Sequence, residues 1–271
     1  MRSDRWLRVL ITCAALAVAF LPGRAFGMQD QEGLPAPSRA FALPIEVEHD
    51  YGAFNGEATI IRFLPVYTIP ISSRWRLANL DLVTLADARG GAPGRPGNPT
   101  PELGDRVFGL SDLLHASFLT PEGQRTFIWG AGFMLRLPTA TDESLGAGKW
   151  AFGPALRLVY RKGGWNVGGV AGQNWSFAGD PDRADLSLLL IRASLRRQLP
   201  AGWYLVSAPI INANWRAPAS QTWLVPLGGG VGKRLGPPSW ATSAQAYYNV
   251  VRPDGAPKWA LRLQVIAAIS F

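Results

Sequence analysis

From Trp259 to Phe271, apolar and polar positions alternate without a break. Trp259, Leu261, Leu263, Val265, Ala267, Ile269 and Phe271 share one face, and Ala260, Arg262, Gln264, Ile266, Ala268 and Ser270 share the other. Period-two alternation with a polar partner face predicts a strand that is apolar on one side and wet on the other. The pattern recurs upstream. Phe127, Trp129, Ala131, Phe133, Leu135 and Leu137 oppose Thr126, Gly130, Gly132 and Arg136. Trp150, Phe152, Pro154, Leu156, Leu158 and Tyr160 oppose Lys149, Arg157 and Arg161. The stretches around Asn79–Leu82 and Leu188–Ile191 do not alternate cleanly; a bulge or a protein-covered inner face accounts for such a lapse.

Extending this pattern predicts about twelve strands, over residues 41–51, 57–69, 74–85, 105–119, 124–137, 149–161, 164–175, 183–199, 202–215, 221–235, 240–251 and 259–271. Tight turns at Lys162-Gly163-Gly164, Pro200-Ala201-Gly202 and Thr120 to Gly123 alternate with longer connections. The longest, Ala88 to Gly104, holds five Gly and four Pro. Beyond residue 27 no segment approaches the roughly 20 apolar residues of a spanning helix. A membrane chain of this kind must therefore be a closed barrel, since open strand edges are not tolerated in lipid. An even strand number, with short connections on one side and long ones on the other, fits an all-β, antiparallel up-and-down transmembrane barrel. Tryptophans mark both ends of the strands. Trp75, Trp165, Trp203 and Trp240 begin strands at the predicted inner rim, and Trp150, Trp175, Trp215, Trp223 and Trp259 fall near the outer rim. Two such aromatic girdles suit the two lipid–water boundaries.

The amino-terminal segment agrees with a membrane destination reached by secretion. Arg2, Arg5 and Arg8 precede an apolar run over 9–21, and Ala25-Phe26-Gly27 offers a small-x-small site, which together predict a cleaved signal peptide over 1–27. A flexible segment over 28–40 is then expected to lead into the barrel over 41–271. The single cysteine, Cys13, lies in the apolar run, so the processed chain would use neither disulfides nor thiol chemistry. Processing removes four of the 27 Lys and Arg and one of the 19 Asp and Glu, leaving a net charge of +5. The remaining basic residues are scattered at one or two per strand rather than gathered in a patch, which argues against nucleic acid.

An ordered series of motifs carries a resemblance. Leu137-Pro138-Thr139-Ala140-Thr141-Asp142, Leu145-Gly146, Gly148-Lys149-Trp150 and Gly153-Pro154 are followed by Trp175-Ser176-Phe177-Ala178-Gly179-Asp180 with Arg183. Trp203, Asn214, Trp223-Leu224-Val225-Pro226 with Lys233, and Pro257-Lys258-Trp259 with Arg262 complete the series. It resembles a proteobacterial outer-membrane barrel family labelled "meta-pathway of phenol degradation" or "transporter", some members of which carry the tag "neuromedin U". The chain departs from the family at Ile191-Arg192, where a Gln-Pro is expected, and at its Ile269-Ser270-Phe271 end. The resemblance implies passage of hydrophobic or aromatic small molecules across the bacterial outer membrane. By a broader resemblance to outer-membrane proteins, a last strand closing on Phe271 is the signal read by the barrel assembly machinery.

Little other chemistry is present. His49 and His115 are the only histidines and no cysteine accompanies them, so no metal cluster or cofactor is implied. Gly228 to Gly232 lies within a strand pattern, where small residues relieve crowding rather than hold phosphate. His115-Ala116-Ser117 places an imidazole and a hydroxyl on one strand face, as a base and nucleophile require. The spacing resembles the His-x-Ser of outer-membrane lipid A deacylases, but Asp112, the orienting acid nearest in sequence, is not on that face. Arg62, Arg136, Lys149, Arg157, Asn212, Asn214, Arg262 and Gln264 are expected to line the lumen, with Glu46, Glu48, Glu57 and Asp81 available as counter-charges. Barrels near eight strands are filled by side chains and those of 16 to 18 hold aqueous channels, so twelve decides neither way. The leading expectation is passive passage of small molecules through a basic, anion-preferring lumen. The alternatives are a membrane-embedded lipid hydrolase and a plugged barrel whose outer loops bind a partner.

Overall fold

A computed structural model describes residues 40–89, 105–124, 126–235 and 240–270. The strands in chain order are β1 (Ala40–Ala53), β2 (Gly56–Phe63), β3 (Val66–Pro70), β4 (Trp75–Arg89), β5 (Arg106–Leu110), β6 (Leu113–Pro121), β7 (Phe127–Leu137) and β8 (Lys149–Lys162). They continue as β9 (Trp165–Gly179), β10 (Ser187–Gln198), β11 (Trp203–Ser207), β12 (Ile210–Asn214), β13 (Trp223–Arg234), β14 (Trp240–Val251) and β15 (Trp259–Ser270). Each is antiparallel to its neighbours, and β1 pairs with both β2 and β15, so the sheet closes on itself. The predicted signal peptide, the segments 28–39 and 236–239, Phe271 and all of the 88–104 connection beyond Arg89 lie outside the described residues.

The fifteen strands make a twelve-stave wall, because three staves are each broken in two. The sequence pattern predicted continuous strands at these places. Two breaks fall at prolines, Leu64-Pro65 between β2 and β3 and Ala208-Pro209 between β11 and β12. Proline cannot donate to the ladder. The third, Ser111-Asp112 between β5 and β6, is a register slip: Leu85 pairs with Leu110, but Leu82 pairs with Leu114. At Ala208 the interrupted backbone is satisfied from inside the barrel. Its N–H donates to the Tyr247 hydroxyl at 2.7 Å, and its carbonyl accepts from Arg262 at 2.6 Å. The tight turn after β8 needs positive φ at both central residues, which Gly163 (60°) and Gly164 (80°) supply.

Burial alternates strictly along β8, with Lys149, Ala151, Arg157 and Arg161 inward and Trp150, Phe152, Leu156, Leu158 and Tyr160 outward. The outward set of the whole wall is dominated by half-exposed Leu, Val, Phe and Trp. An apolar belt of this extent around a closed sheet is stable only against lipid. The two stretches without clean alternation are explained by the inner face. Leu80, Leu82 and Leu190 point inward and pack on Phe118, Met134, Val66 and Val170, while Leu188 joins Leu186, Ala147 and Ala151. An apolar inner patch thus removes the polar half of the pattern. Inserting a branched side chain into the β6–β7 seam tests how tightly the wall is closed. A Cβ at Gly132 would lie 1.8 Å from the Ser117 carbonyl oxygen, so Gly132→Val is expected to prevent refolding, seen as loss of the heat-modifiable band on gels.

Candidate functional site: the barrel lumen

β1 brings Glu46 and Glu48 to the inner face two residues apart, one above the other. β2 places Arg62 beside them through the register pair Glu46–Arg62, and β15 places Arg262 and Gln264 on the other flank through Glu48–Arg262 and Glu46–Gln264. Glu48 accepts from Arg62 at 2.7 Å and from Arg262 at 2.6 and 2.9 Å. Glu46 accepts from Gln264 at 2.8 Å and lies 3.8 and 3.9 Å from the guanidinium nitrogens of Arg62 and Arg262. Arg192, projecting from β10 on a distant part of the wall, also donates to Glu46. That bond is a strut across the lumen. Two carboxylates therefore hold three guanidiniums.

Toward the rim carrying the short turns, the inner face turns basic. Arg157 and Arg161 stand on β8, Arg76 on β4 and Arg196 on β10, all buried. The Arg196 guanidinium carbon stands over the Tyr204 ring, 3.8 Å from its centroid, and Arg76 meets Glu122 at 3.5 Å. Toward the opposite rim, Asp112 accepts from the Ala147 N–H at 2.8 Å and faces Arg136 at 3.7 Å. The 138–148 connection is thereby drawn inward, burying Leu145, and Arg183 donates to carbonyls of Glu143 and Gly146 in the same connection. Lys149, also inward, lies 3.6 Å from Asp185. Asn212 is buried on the inner face, whereas Asn214 sits at the rim and accepts from the Arg216 N–H at 3.1 Å. Between the central network and the basic end lies a largely apolar cavity that is open on one side.

All eight lumen residues expected from the sequence thus stand on the inner face or its rim. Two of the four expected counter-charges do not. Glu57 and Asp81 point outward: Glu57 is 3.4 Å from His49, and Asp81 lies across from His115 on the wall. Their strands carry an outward polar residue among apolar ones, so the parity of the clean strands could not be transferred to them. Sequence reasoning also passed over Arg76, Arg192, Arg196 and Tyr247. Arg192 and Arg196 have the parity of Leu188 and Leu190, whose apolar character hid which face of β10 is inner. The nine tryptophans at the strand ends stand on the outer face or at its margin, with Trp215 and Trp223 edge-to-face at 5.3 Å.

His115 and Ser117 point outward. The His115 ring bonds the Asp81 carboxylate through Nδ1 at 2.6 Å, so an acid does face it, from β4 rather than from Asp112. Ser117 donates to Asn79 at 2.6 Å rather than to the imidazole. The two pairs form an outward polar ladder across β4 and β6.

Neither a family model nor a curated protein sequence matches the chain. Among solved structures, the COG4313 outer membrane channel from Pseudomonas putida F1 is similar in fold, with a TM-score of 0.58 at 15% identity over 90% of this chain and 100% of that one. The toluene transporter TodX of P. putida aligns at a TM-score of 0.44 and 12% identity, over 87% of this chain and 91% of that one. The closed wall, its apolar exterior and the first of these likenesses make the chain an outer-membrane β-barrel.

Proposed function

We propose that this barrel is a channel for passive entry of small, mainly apolar molecules, with fixed positive charge in its lumen favouring anions among the ions that pass. The observation that carries this reading is the inner cavity: apolar walls, a basic end and a membrane-closed exterior. A cavity of this kind holds an apolar solute, and the surrounding guanidiniums set a positive potential along the path. The similarity to an outer-membrane channel of the same fold supports the reading. Refolded protein in planar bilayers is expected to give stable conductance steps, with a reversal potential of anion-preferring sign under a KCl gradient. A folded barrel that stays silent in bilayers and does not admit small sugars or toluene-sized solutes into vesicles would overturn it.

The Asp81–His115 bond favours a second reading, a lipid-facing acyl hydrolase in which Asp81 orients His115 and Ser117 is the nucleophile. The bond from Ser117 to Asn79 counts against it, because the hydroxyl proton is not directed at the base. If the reading holds, refolded protein hydrolyses acyl chains of lipopolysaccharide-containing vesicles and Ser117→Ala abolishes that activity. Under the channel reading, hydrolysis is absent and Ser117→Ala leaves conductance unchanged.

A further inference from the structure

One lumen cation differs from those held by carboxylates. Arg62, Arg192 and Arg262 are held by Glu46 and Glu48, Arg136 by Asp112 and Arg76 by Glu122. Arg157 points inward from the middle of β8 and is 3% exposed, yet neither of its terminal nitrogens has a hydrogen-bond partner among the described residues. A guanidinium is normally buried only with a counter-charge, because several kcal/mol of desolvation must be offset. Its inward neighbours along the hydrogen-bonding direction are Gly130 on β7 and Val170 on β9, the latter followed by Arg192 on β10, whose charge is already committed to Glu46. Nothing there neutralises it.

Arg157 is also part of the wall of the apolar cavity. The rest of that wall is mainly aliphatic or aromatic, with Leu64, Phe118 and Ile266 prominent, and its other polar members are Asn166, Arg192, Ser194 and Gln264. With Arg192 committed to Glu46, Arg157 supplies the unpartnered fork of N–H donors in a mainly apolar chamber, and that specifies its ligand closely. A carboxylate matches the fork with two parallel hydrogen bonds. The walls select an apolar body behind it. Among the described residues of this wall, Arg157 is the one guanidinium without a carboxylate, so a single negative charge is neutralised and a second would be buried without compensation.

We propose that the cavity is a binding site for small apolar monocarboxylates, aromatic or branched aliphatic acids, whose carboxylate is held by Arg157 while the body packs on the Phe118 and Ile266 side. This rests on the channel reading for its route of access and narrows it from apolar solutes in general to apolar acids.

Benzoate is the probe and benzyl alcohol its neutral counterpart of similar size. Calorimetric titration of the full chain, refolded in detergent micelles, is expected to show saturable benzoate binding that weakens at least tenfold in Arg157→Met. Benzyl alcohol is expected to bind more weakly than benzoate in the wild type and equally in both proteins. Arg157→Lys, which keeps the charge and loses the fork, should fall between. Arg157→Met removes an unpaired buried charge and is expected to fold, with heat-modifiable gel mobility as the check; Arg157→Gln replaces it if it does not. Equal benzoate affinity in wild type and variant, or no preference of the wild type for benzoate over benzyl alcohol, would overturn the site. Conductance of the same preparation separates the two claims. A conducting barrel that does not bind benzoate loses the site and keeps the channel; a silent barrel that binds benzoate through Arg157 keeps the site and loses the channel.

Discussion

Replacing Glu46 with leucine is expected to destabilise the barrel by about 3–5 kcal/mol, the cost of breaking a buried ion network by removing one partner. Glu46 is fully buried and stands between Arg62, Arg192 and Arg262, with Gln264 donating to its carboxylate at 2.8 Å. Leucine fills a similar volume but leaves three guanidiniums around an apolar group: Arg62 and Arg262 keep Glu48, and Arg192 loses the carboxylate it donates to. The loss should appear as a lower urea midpoint, with unchanged slope, for protein refolded in phospholipid vesicles. A second substitution identifies the cause. In Glu46→Leu/Arg192→Leu the strut is removed as a pair, so no orphaned charge remains on β10, and stability should recover by about 1–3 kcal/mol relative to the single variant. Conductance is expected to move the other way. Arg192 reaches Glu46 across the lumen, so the double variant should conduct more than the wild type while being less stable than it. A single variant within about 1 kcal/mol of wild type would show that lumen water, rather than these contacts, solvates the charges.

The opposite signs of those two effects express what the network does. Lumen polar groups here are not a smooth lining. They are pairs and a strut that hold distant staves at fixed separation, and the Ala208-Pro209 break depends on them directly. Arg262 serves both ends of that arrangement, donating to Glu48 and to the Ala208 carbonyl. Where the proline interrupts the wall, a side chain from the lumen completes it.

The wall was legible because strand periodicity survives wherever one face meets lipid and the other meets polar groups. From 240 to 251 and from 149 to 161, the residues expected as strands are those that form β14 and nearly all of β8. The breaks were not legible. Pro65 and Pro209 interrupt hydrogen bonding without disturbing the alternation, and the slip at Ser111-Asp112 costs one residue in a run too short to reveal it. Inner and outer faces were legible only where they differ in polarity. On β10 both faces are apolar around Leu188 to Ile191, so Arg192 could not be assigned to the lumen, although it forms the strut. On β4 the polar pair Asn79 and Asp81 faces outward, and a rule that sends charge inward placed Asp81 on the wrong side. The partner that resolves it, His115, is 34 residues away in sequence and becomes adjacent only through the β4–β6 register. The unpaired state of Arg157 is a property of three-dimensional neighbours, and no feature of its local sequence distinguishes it from Arg161.

Leu156→Arg is expected to cost about 2–4 kcal/mol, the penalty for a cation on the lipid face of a barrel at the bilayer midplane. Leu156 is 55% exposed on the outer face of β8, six residues from Trp150 and four from Tyr160. At about 3.3 Å per residue and a tilt near 40°, those ten residues span roughly 25 Å, the height of the apolar band of such barrels. Leu156 then stands near its middle, too far from either aromatic rim for an arginine to reach water without distortion. Tyr160→Lys, at the rim of the same strand, should cost about 0–1 kcal/mol, because the charge stays at the interface. The neighbouring Arg157 gives the inward control. Arg157→Leu removes a cation one residue away and is expected to leave stability unchanged or raise it, since the charge lacks a buried partner. A large loss at 156, a small one at 160 and none at 157 would assign the two faces of β8 and set the membrane's height on the barrel. Equal effects at 156 and 160 would mean that the outer wall is not embedded at this level, and the lipid-facing assignment of β8 would fall with it.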